Sequence, residues 1–297
     1  VAKDRVLVTG SSGLIGLPLC AELARLNLDV VPFDIAASSR ADILDAQALV
    51  EAVRGCVGIV HLAAVSRVAH GERDPAHCRA VNAEGTRNVI KAAREATSSP
   101  WLVFASSREV YGQPDAMPVS EDAPLRPFNT YGRAKAESET LVIDASRATL
   151  RAIALRLTNV YGGLNDHPDR VIPAFVRNAL SGSPLLIESP SATFDFVHVS
   201  DCVRGFVRAV SLLRGGAQSL DPCNLACGRA TTLGDLARLV VSRTQSSSVI
   251  EERAALNYNV SRFVGDTVRA EKLLGWRHEI TLEAGLDRYI ALVRGAR

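Results

Sequence analysis

The chain is short of several features that would each have narrowed its role. It lacks a charge imbalance: 34 Lys and Arg against 32 Asp and Glu leave a formal +2 over 297 residues, and no basic run stands out. Neither nucleic acid nor an anionic membrane surface is therefore an expected partner. No apolar stretch approaches the roughly 20 residues that span a bilayer, and no charged-then-apolar leader precedes the first apolar run. A cytoplasmic protein is expected. The six cysteines (Cys20, Cys56, Cys78, Cys202, Cys223 and Cys227) show no zinc-finger pairing, and the four-residue step from Cys223 to Cys227 has no second pair or histidine cluster beside it. Buried free thiols and no metal site are the expectation. There is no internal repeat and no long linker. What remains, 47% hydrophobic and 22% charged residues, describes a globular chain able to bury a large core in one domain or two closely joined ones.

The organising stretch is Val6 to Gly16. A short apolar run (Val6, Leu7, Val8) meets Gly10, Gly13 and Gly16, then a helical pattern from Leu17 to Leu26. A strand, a phosphate-binding turn and a helix follow from this pattern. Gly10 would permit the tight turn, Gly13 close approach of backbone to a pyrophosphate, and Gly16 close packing of the helix, whose N-terminal N–H groups favour an anion. About twenty residues on, Asp34 closes a second apolar run, Val30 to Phe33. A carboxylate there accepts hydrogen bonds from adenosine ribose hydroxyls and repels a 2′-phosphate, which points to NAD rather than NADP, with Arg40 nearby as the opposing influence.

Further along, Leu49, Val50 and Val53 give a helical pattern, Val57 to Ala64 a buried strand, and Asn82 to Ala96 an amphipathic helix with Val89, Ile90 and Ala93 on one face. His61 reads as a packed histidine. Trp101 to Ala105 is the next strand. This alternation predicts an α/β fold, a doubly wound parallel sheet with helices on both faces, whose carboxyl edge carries ligands. That edge delivers Ser106 to Gly112. Tyr131 and Lys135 then open a helix, and their i, i+4 spacing puts phenol and ammonium on one face. A phenol titrating near 10 is a poor base, and a nearby ammonium would lower its pKa. Thr244 to Ser248 is polar and reads as a mobile loop.

These motifs together resemble the extended short-chain dehydrogenase/reductase family, and within it the NAD-dependent sugar-nucleotide epimerases and dehydratases. Thr9 to Gly16 is similar to the glycine loop, Asp34 to the ribose acid, Asp42-Ile43 to the adenine contact, and His61-Leu62-Ala63-Ala64 to the fourth-strand signature. Asn82 matches the supporting asparagine, Ser107 the catalytic Ser or Thr, and Tyr131 with Lys135 the catalytic pair. Leu155 to Gly162 resembles the strand ending beside nicotinamide and sugar, Arg170 to Pro173 the opening of a substrate-domain helix, and Asp195 to Asp201 the segment returning to the core. Cys223 to Ala226 and Lys272 to Trp276 resemble later substrate-domain landmarks.

The resemblance implies a Rossmann domain over residues 1–165, with returning segments near 190–220, and a smaller α/β substrate-binding domain over 166–297. It implies NAD contacts at Gly10, Ser12, Gly13, Leu14, Ile15, Asp34, Asp42, Ile43, Leu62, Ala63, Ala64, Asn82, Ala105, Tyr131, Lys135 and Leu157. Substrate contacts are implied at Ser66, Ser107, Glu109, Asn159, Arg170 and Val171, and catalysis by Ser107, Tyr131 and Lys135. The implied activity is epimerisation of a nucleotide-activated sugar at C4 through a 4-keto intermediate, with a dehydrogenase, ketoreductase or dehydratase as alternatives. A binding protein that kept the fold and lost the chemistry is disfavoured because Tyr131 and Lys135 are both present. A homodimer through the helices near 82–96 and 131–145 is also implied.

Two departures stand out. Many family members carry an Arg before the Asp-Phe of the returning segment, where it binds the diphosphate; here that residue is Phe194, after Ser189-Pro190-Ser191-Ala192 in place of a glycine-rich stretch. Arg170, Arg253 or Arg262 could compensate. The 4,6-dehydratases typically carry Asp-Glu after the catalytic Thr, and here the pair is Arg108-Glu109. A guanidinium does not donate a proton at neutral pH.

Overall fold

A computed structural model describes residues 3–253 and 260–296. The apolar runs form strands and the periodic stretches form helices. The first half contains β1 (Arg5–Thr9), α1 (Gly16–Arg25), β2 (Asp29–Phe33), α2 (Ala46–Val53) and β3 (Cys56–His61). Two short helices, α3 (Val68–Arg73) and α4 (Pro75–Arg79), lead through a wide π turn (Ala80–Glu84) into α5 (Gly85–Glu95). β4 (Trp101–Ser107), a 3-10 turn (Arg108–Tyr111), α6 (Thr130–Ala148) and β5 (Ala152–Leu157) follow. The second half runs through β6 (Asn159–Tyr161), α7 (Val171–Ser181), β7 (Leu185–Ile187), β8 (Thr193–Phe194), β9 (Phe196–His198), α8 (Val199–Arg214), β10 (Cys223–Leu225), β11 (Thr231–Thr232), α9 (Leu233–Thr244), β12 (Ile250–Glu252), α10 (Val268–Leu274) and α11 (Leu282–Gly295).

Six strands form one parallel sheet in the order β10-β5-β4-β3-β1-β2. Alternate side chains go to opposite faces. Val6, Val8, Val60, Val103 and Leu155 pack under α1 and α8, while Leu7, Ile59, Leu102, Phe104 and Ala154 pack under α2, α5 and α6. Each buried aliphatic side chain contributes roughly 1.5–3 kcal/mol. Burial on both faces is why these strands read as unbroken apolar runs. Pro32 is tolerated because β2 is an edge strand. Gly58 leaves room for Trp101, whose ring lies 2.1 Å from where a Cβ would stand.

A second core joins α7, α9 and α11 through Phe175, Val176, Leu236, Val240, Leu286 and Ile290. Two segments fall elsewhere than the resemblance implied. Cys223–Leu225 is β10, the far edge of the main sheet, paired in register with Leu155–Leu157. Ala270, Leu274 and Trp276 belong to the sheet's own core. A three-residue strand carries too little pattern to show which sheet it joins. The helix expected from Asn82 starts as the wide turn and becomes regular only at Gly85, where a Cβ would stand 2.5 Å from Ile43. Thr244 to Ser248 is held in place: the Thr244 hydroxyl donates to Val240 O at 2.7 Å, and Ser246 and Ser248 share a hydrogen bond of 2.8 Å. Among the described residues the six cysteines are unpaired thiols, no cluster of metal-ligating side chains occurs, and no helix is long and apolar enough to cross a membrane.

Candidate active site

The carboxyl ends of β1, β3, β4 and β5 open into a cleft of about 890 Å³ that continues toward α7 and β7. Its first wall is the glycine loop. Gly10 has φ +70°, and a Cβ there would lie 2.6 Å from Ala63 N, so the turn admits only glycine without strain. Gly16 is required for a related reason, since its Cβ would meet the loop's own Gly10 O at 2.1 Å. A Cβ on Gly13, by contrast, would meet only that same oxygen, at 3.3 Å, and Gly13 lines the cleft. The loop thus leaves open space where a diphosphate would rest. No side chain caps α1, which leaves helix-start N–H groups for an anion.

Asp34 stands at the end of β2 and ties that strand to the loop: one carboxylate oxygen accepts Ser12 N–H at 2.9 Å and the other Ala36 N–H at 2.8 Å. Each oxygen keeps acceptor capacity for a ribose hydroxyl. Leu14, Ile15, Asp42, Ile43, Leu62, Ala63, Ala64, Ala105 and Leu157 line the same cleft. These residues fit an adenine dinucleotide with an unphosphorylated ribose. Ser12 is not on the cleft wall; its backbone N–H goes to Asp34. Asn82 is not on the cleft wall; it is buried behind it, where its side chain accepts Val65 N–H at 2.8 Å and donates to Val65 O at 3.1 Å, fixing the loop that carries Ser66. His61 is packed between Thr9 (2.7 Å) and Thr86 (3.0 Å), and burial pushes its pKa down to about 3. It is neutral and structural.

Ser107, Tyr131 and Lys135 come together on the opposite wall. Asn129 starts α6 by accepting Gly132 N–H at 2.7 Å, which sets Tyr131 in its first turn. Lys135 donates to Ala105 O at 2.8 Å and lies 4.8 Å over the Phe104 ring. One turn deeper on the same helix, Glu139 accepts Ser106 Oγ at 2.5 Å and pairs with Arg156 at 2.6 Å. Arg156 in turn donates to the Tyr111 hydroxyl, which donates to Asn224. The end of β4 is therefore anchored by a buried polar network, and Tyr111 serves that network rather than the cleft. Such networks hold one geometry because a half-satisfied member is costly.

The electrostatics differ from what the i, i+4 spacing suggests. Burial raises the Tyr131 pKa above its ordinary value, and the counteracting influences are the Ser107 hydrogen bond and the Arg170 charge. Lys135 is itself pushed down to about 8 by burial. Depression of the phenol by Lys135 is therefore not what the chain alone provides. A cationic nicotinamide ring would supply further positive charge at the same place.

Ser66, Glu109, Asn159, Arg170 and Val171 also line the cleft. Ser66 Oγ lies 3.2 Å from His167 Nε2, and Asn159 donates to Asp195 O at 3.3 Å. Arg170 bonds Ser66 O and Val160 O at 3.4 Å each and faces Asp166 at the same distance. Of the arginines named as replacements for the Phe194 position, Arg253 reaches the cleft but pairs with Glu188 at 2.6 Å. Arg262 is spent on the carbonyls of Pro114 and Asp115. Arg108, which sequence reasoning treated only as a departure, lines the cleft with its guanidinium 4.8 Å over the Phe194 ring. His167, Arg67 and the 186–189 segment were likewise missed. No periodicity or spacing marks them.

The sequence model of the NAD dependent epimerase/dehydratase family matches residues 6–220. UDP-glucose 4-epimerase of Mycolicibacterium smegmatis is 30% identical over 313 residues, covering 98% of each chain. dTDP-4-dehydro-6-deoxyglucose reductase of Escherichia coli is 28% identical over 318 residues, again covering 98% of each. Among solved structures, MoeE5 in complex with UDP-glucose and NAD is similar with a TM-score of 0.91 at 29% identity, over 99% of both chains. Its complex with UDP-glucuronic acid and NAD gives 0.91 at 27%, over 99% of this chain and 100% of that one.

Proposed function

Because the chain belongs to the NAD-dependent epimerase/dehydratase family, we propose that it is an NAD-dependent epimerase of a nucleotide-activated sugar, acting at C4 through a transient 4-keto sugar. The observation that carries this reading is the convergence of Ser107, Tyr131 and Lys135 on one wall of the cleft whose other wall is the glycine loop and Asp34. Relatives that bind UDP-glucose support the sugar-nucleotide part. The reductase of Escherichia coli shows that similar chains also carry out net reduction.

NAD, when bound, supplies the hydride acceptor and later the donor. Tyr131 takes the proton of the sugar hydroxyl as general base and returns it at the end of the cycle. The Ser107 hydroxyl steadies the oxygen on which charge develops. Lys135, fixed by Ala105 O, holds a positive charge beside the cofactor site, and Arg170 adds its charge at the phenol. Arg108 in place of an acid removes the proton donor that a 4,6-dehydratase would use at that position.

The test is incubation of the purified protein with UDP-glucose and with UDP-glucuronic acid, followed by NMR of the sugar. Appearance of the C4 epimer with no net change in reduced-nicotinamide absorbance is the expected result. Net oxidation or reduction would instead make the protein a dehydrogenase or ketoreductase.

A further inference from the structure

Arg108 is a half-buried cation with unused capacity. Its side chain is 12% exposed, and one arm, Nη2, meets Glu109 Oε1 at 2.9 Å. Nη1 is buried and has no hydrogen-bond partner. Glu109 does not reach Nη1; its other oxygen accepts Asn129 Nδ2 at 2.7 Å. The guanidinium lies between aromatic rings, 4.8 Å from the centroid of Phe194 and 5.9 Å from that of Phe263, so water is largely replaced by apolar surface. An unpaired donor in such surroundings is destabilising until a ligand supplies an acceptor. Every cleft arginine faces an acid, Arg67 pairing with Asp169, Arg170 with Asp166 and Arg253 with Glu188, so what marks Arg108 is its unpartnered Nη1. Arg67 Nε is also unpartnered, but that side chain bridges to the loop before α7.

Position narrows the ligand. Arg108 follows Ser107 directly and lines the same cleft as Ser107 and Tyr131. A group on the sugar ring at that wall comes within reach of Arg108, and so does a diphosphate, because the guanidinium lies over Phe194, where the resemblance places a diphosphate anchor; the titrations below separate the two. A planar carboxylate matches a guanidinium edge with two parallel N–H···O bonds, whereas a hydroxymethyl group accepts one at most. We propose that Arg108 receives a carboxylate carried by the sugar, so that the substrate class is a nucleotide-activated uronic acid. This rests on the sugar-nucleotide reading above.

The experiment is isothermal titration calorimetry on the full chain with NAD present. Free UDP and dTDP are titrated first, and the one that binds fixes the nucleotide for the glucose and glucuronic acid conjugates. The wild type is expected to prefer the glucuronic acid conjugate at least tenfold, and Arg108→Met to bring that ratio to within twofold. Arg108→Lys, which keeps a cation beside Glu109, is expected to retain an intermediate preference and guards against misfolding as the explanation. A wild-type ratio near one, or a ratio unchanged in Arg108→Met, overturns the assignment. Equal weakening of both conjugates and of the free diphosphate by Arg108→Met also overturns it, since Arg108 would then serve the diphosphate. If neither diphosphate binds, the assignment fails together with the UDP- and dTDP-sugar forms of the reading above.

Discussion

At its glycine-loop end the cleft is walled by backbone and mostly apolar side chains drawn from residues 10–64. At the other end, side chains from 107–109, 131–135, 157–171, 186–194, 253 and 260–261 meet from separate elements. The first wall works through conformation: Gly10 at positive φ, Gly16 against the loop's own carbonyl and Asp34 on a backbone N–H. The second works through charge in a buried setting, where Tyr131 is raised, Lys135 lowered and Arg108 half-paired. Backbone requirements leave residue-type signatures at fixed offsets, whereas charge arrangements assembled across the fold do not.

The largest effect is expected at the second wall. Tyr131→Phe keeps the ring and removes the proton acceptor, so kcat should fall by about 10³-fold or more while NAD is retained. Stopped-flow turnover alongside cofactor fluorescence checks both. At the first wall, Gly10→Ala puts a Cβ 2.6 Å from Ala63 N at φ +70°. We expect destabilisation of about 2–3 kcal/mol together with loss of NAD, read by urea denaturation and by the cofactor content of the purified protein.

Lys135 separates function from stability. Its folded-state pKa of about 8 lies below the ordinary 10.5. The unfolded chain therefore binds more protons between those values, so the group's penalty is fully present below about pH 8 and stability rises as pH increases toward 10.5. The penalty is on the order of 3 kcal/mol, and the hydrogen bond to Ala105 O offsets about 1 kcal/mol of it. Lys135→Met should melt a few degrees higher than wild type at pH 7, the advantage should fade by pH 10.5, and turnover should be lost. Thermal melts across that range check the sign. The smallest expected effect is at Asp34. Asp34→Ser removes the repulsion of a 2′-phosphate and should shift the NAD over NADP preference by roughly tenfold, measured as a ratio of dissociation constants.

Legibility in the sequence followed the same division. The parallel sheet was legible because each strand is buried on both faces, and the i, i+4 spacing placed Tyr131 and Lys135 on one wall. β10 was not assigned to the sheet, since Cys223–Leu225 is short and pairs with a strand about seventy residues earlier. Asn82 was placed among the contacts, although its side chain holds Val65 from behind. Arg108 was noticed only as a missing acid, because its value comes from Phe194 and Phe263, residues far away in the chain.

The sequence by itself determined the alternation of strand and helix, the glycine turn, Asp34 at the second strand's tip and the Tyr131–Lys135 helix face, because each depends on local backbone geometry or a short repeat. Only the tertiary structure decided which arginines are spent on acids and carbonyls, which keep an unused donor, and that burial outweighs nearby charge at Tyr131. Those outcomes depend on which distant side chains exclude water around each charge, and desolvation is a property of the assembled fold rather than of any stretch of chain.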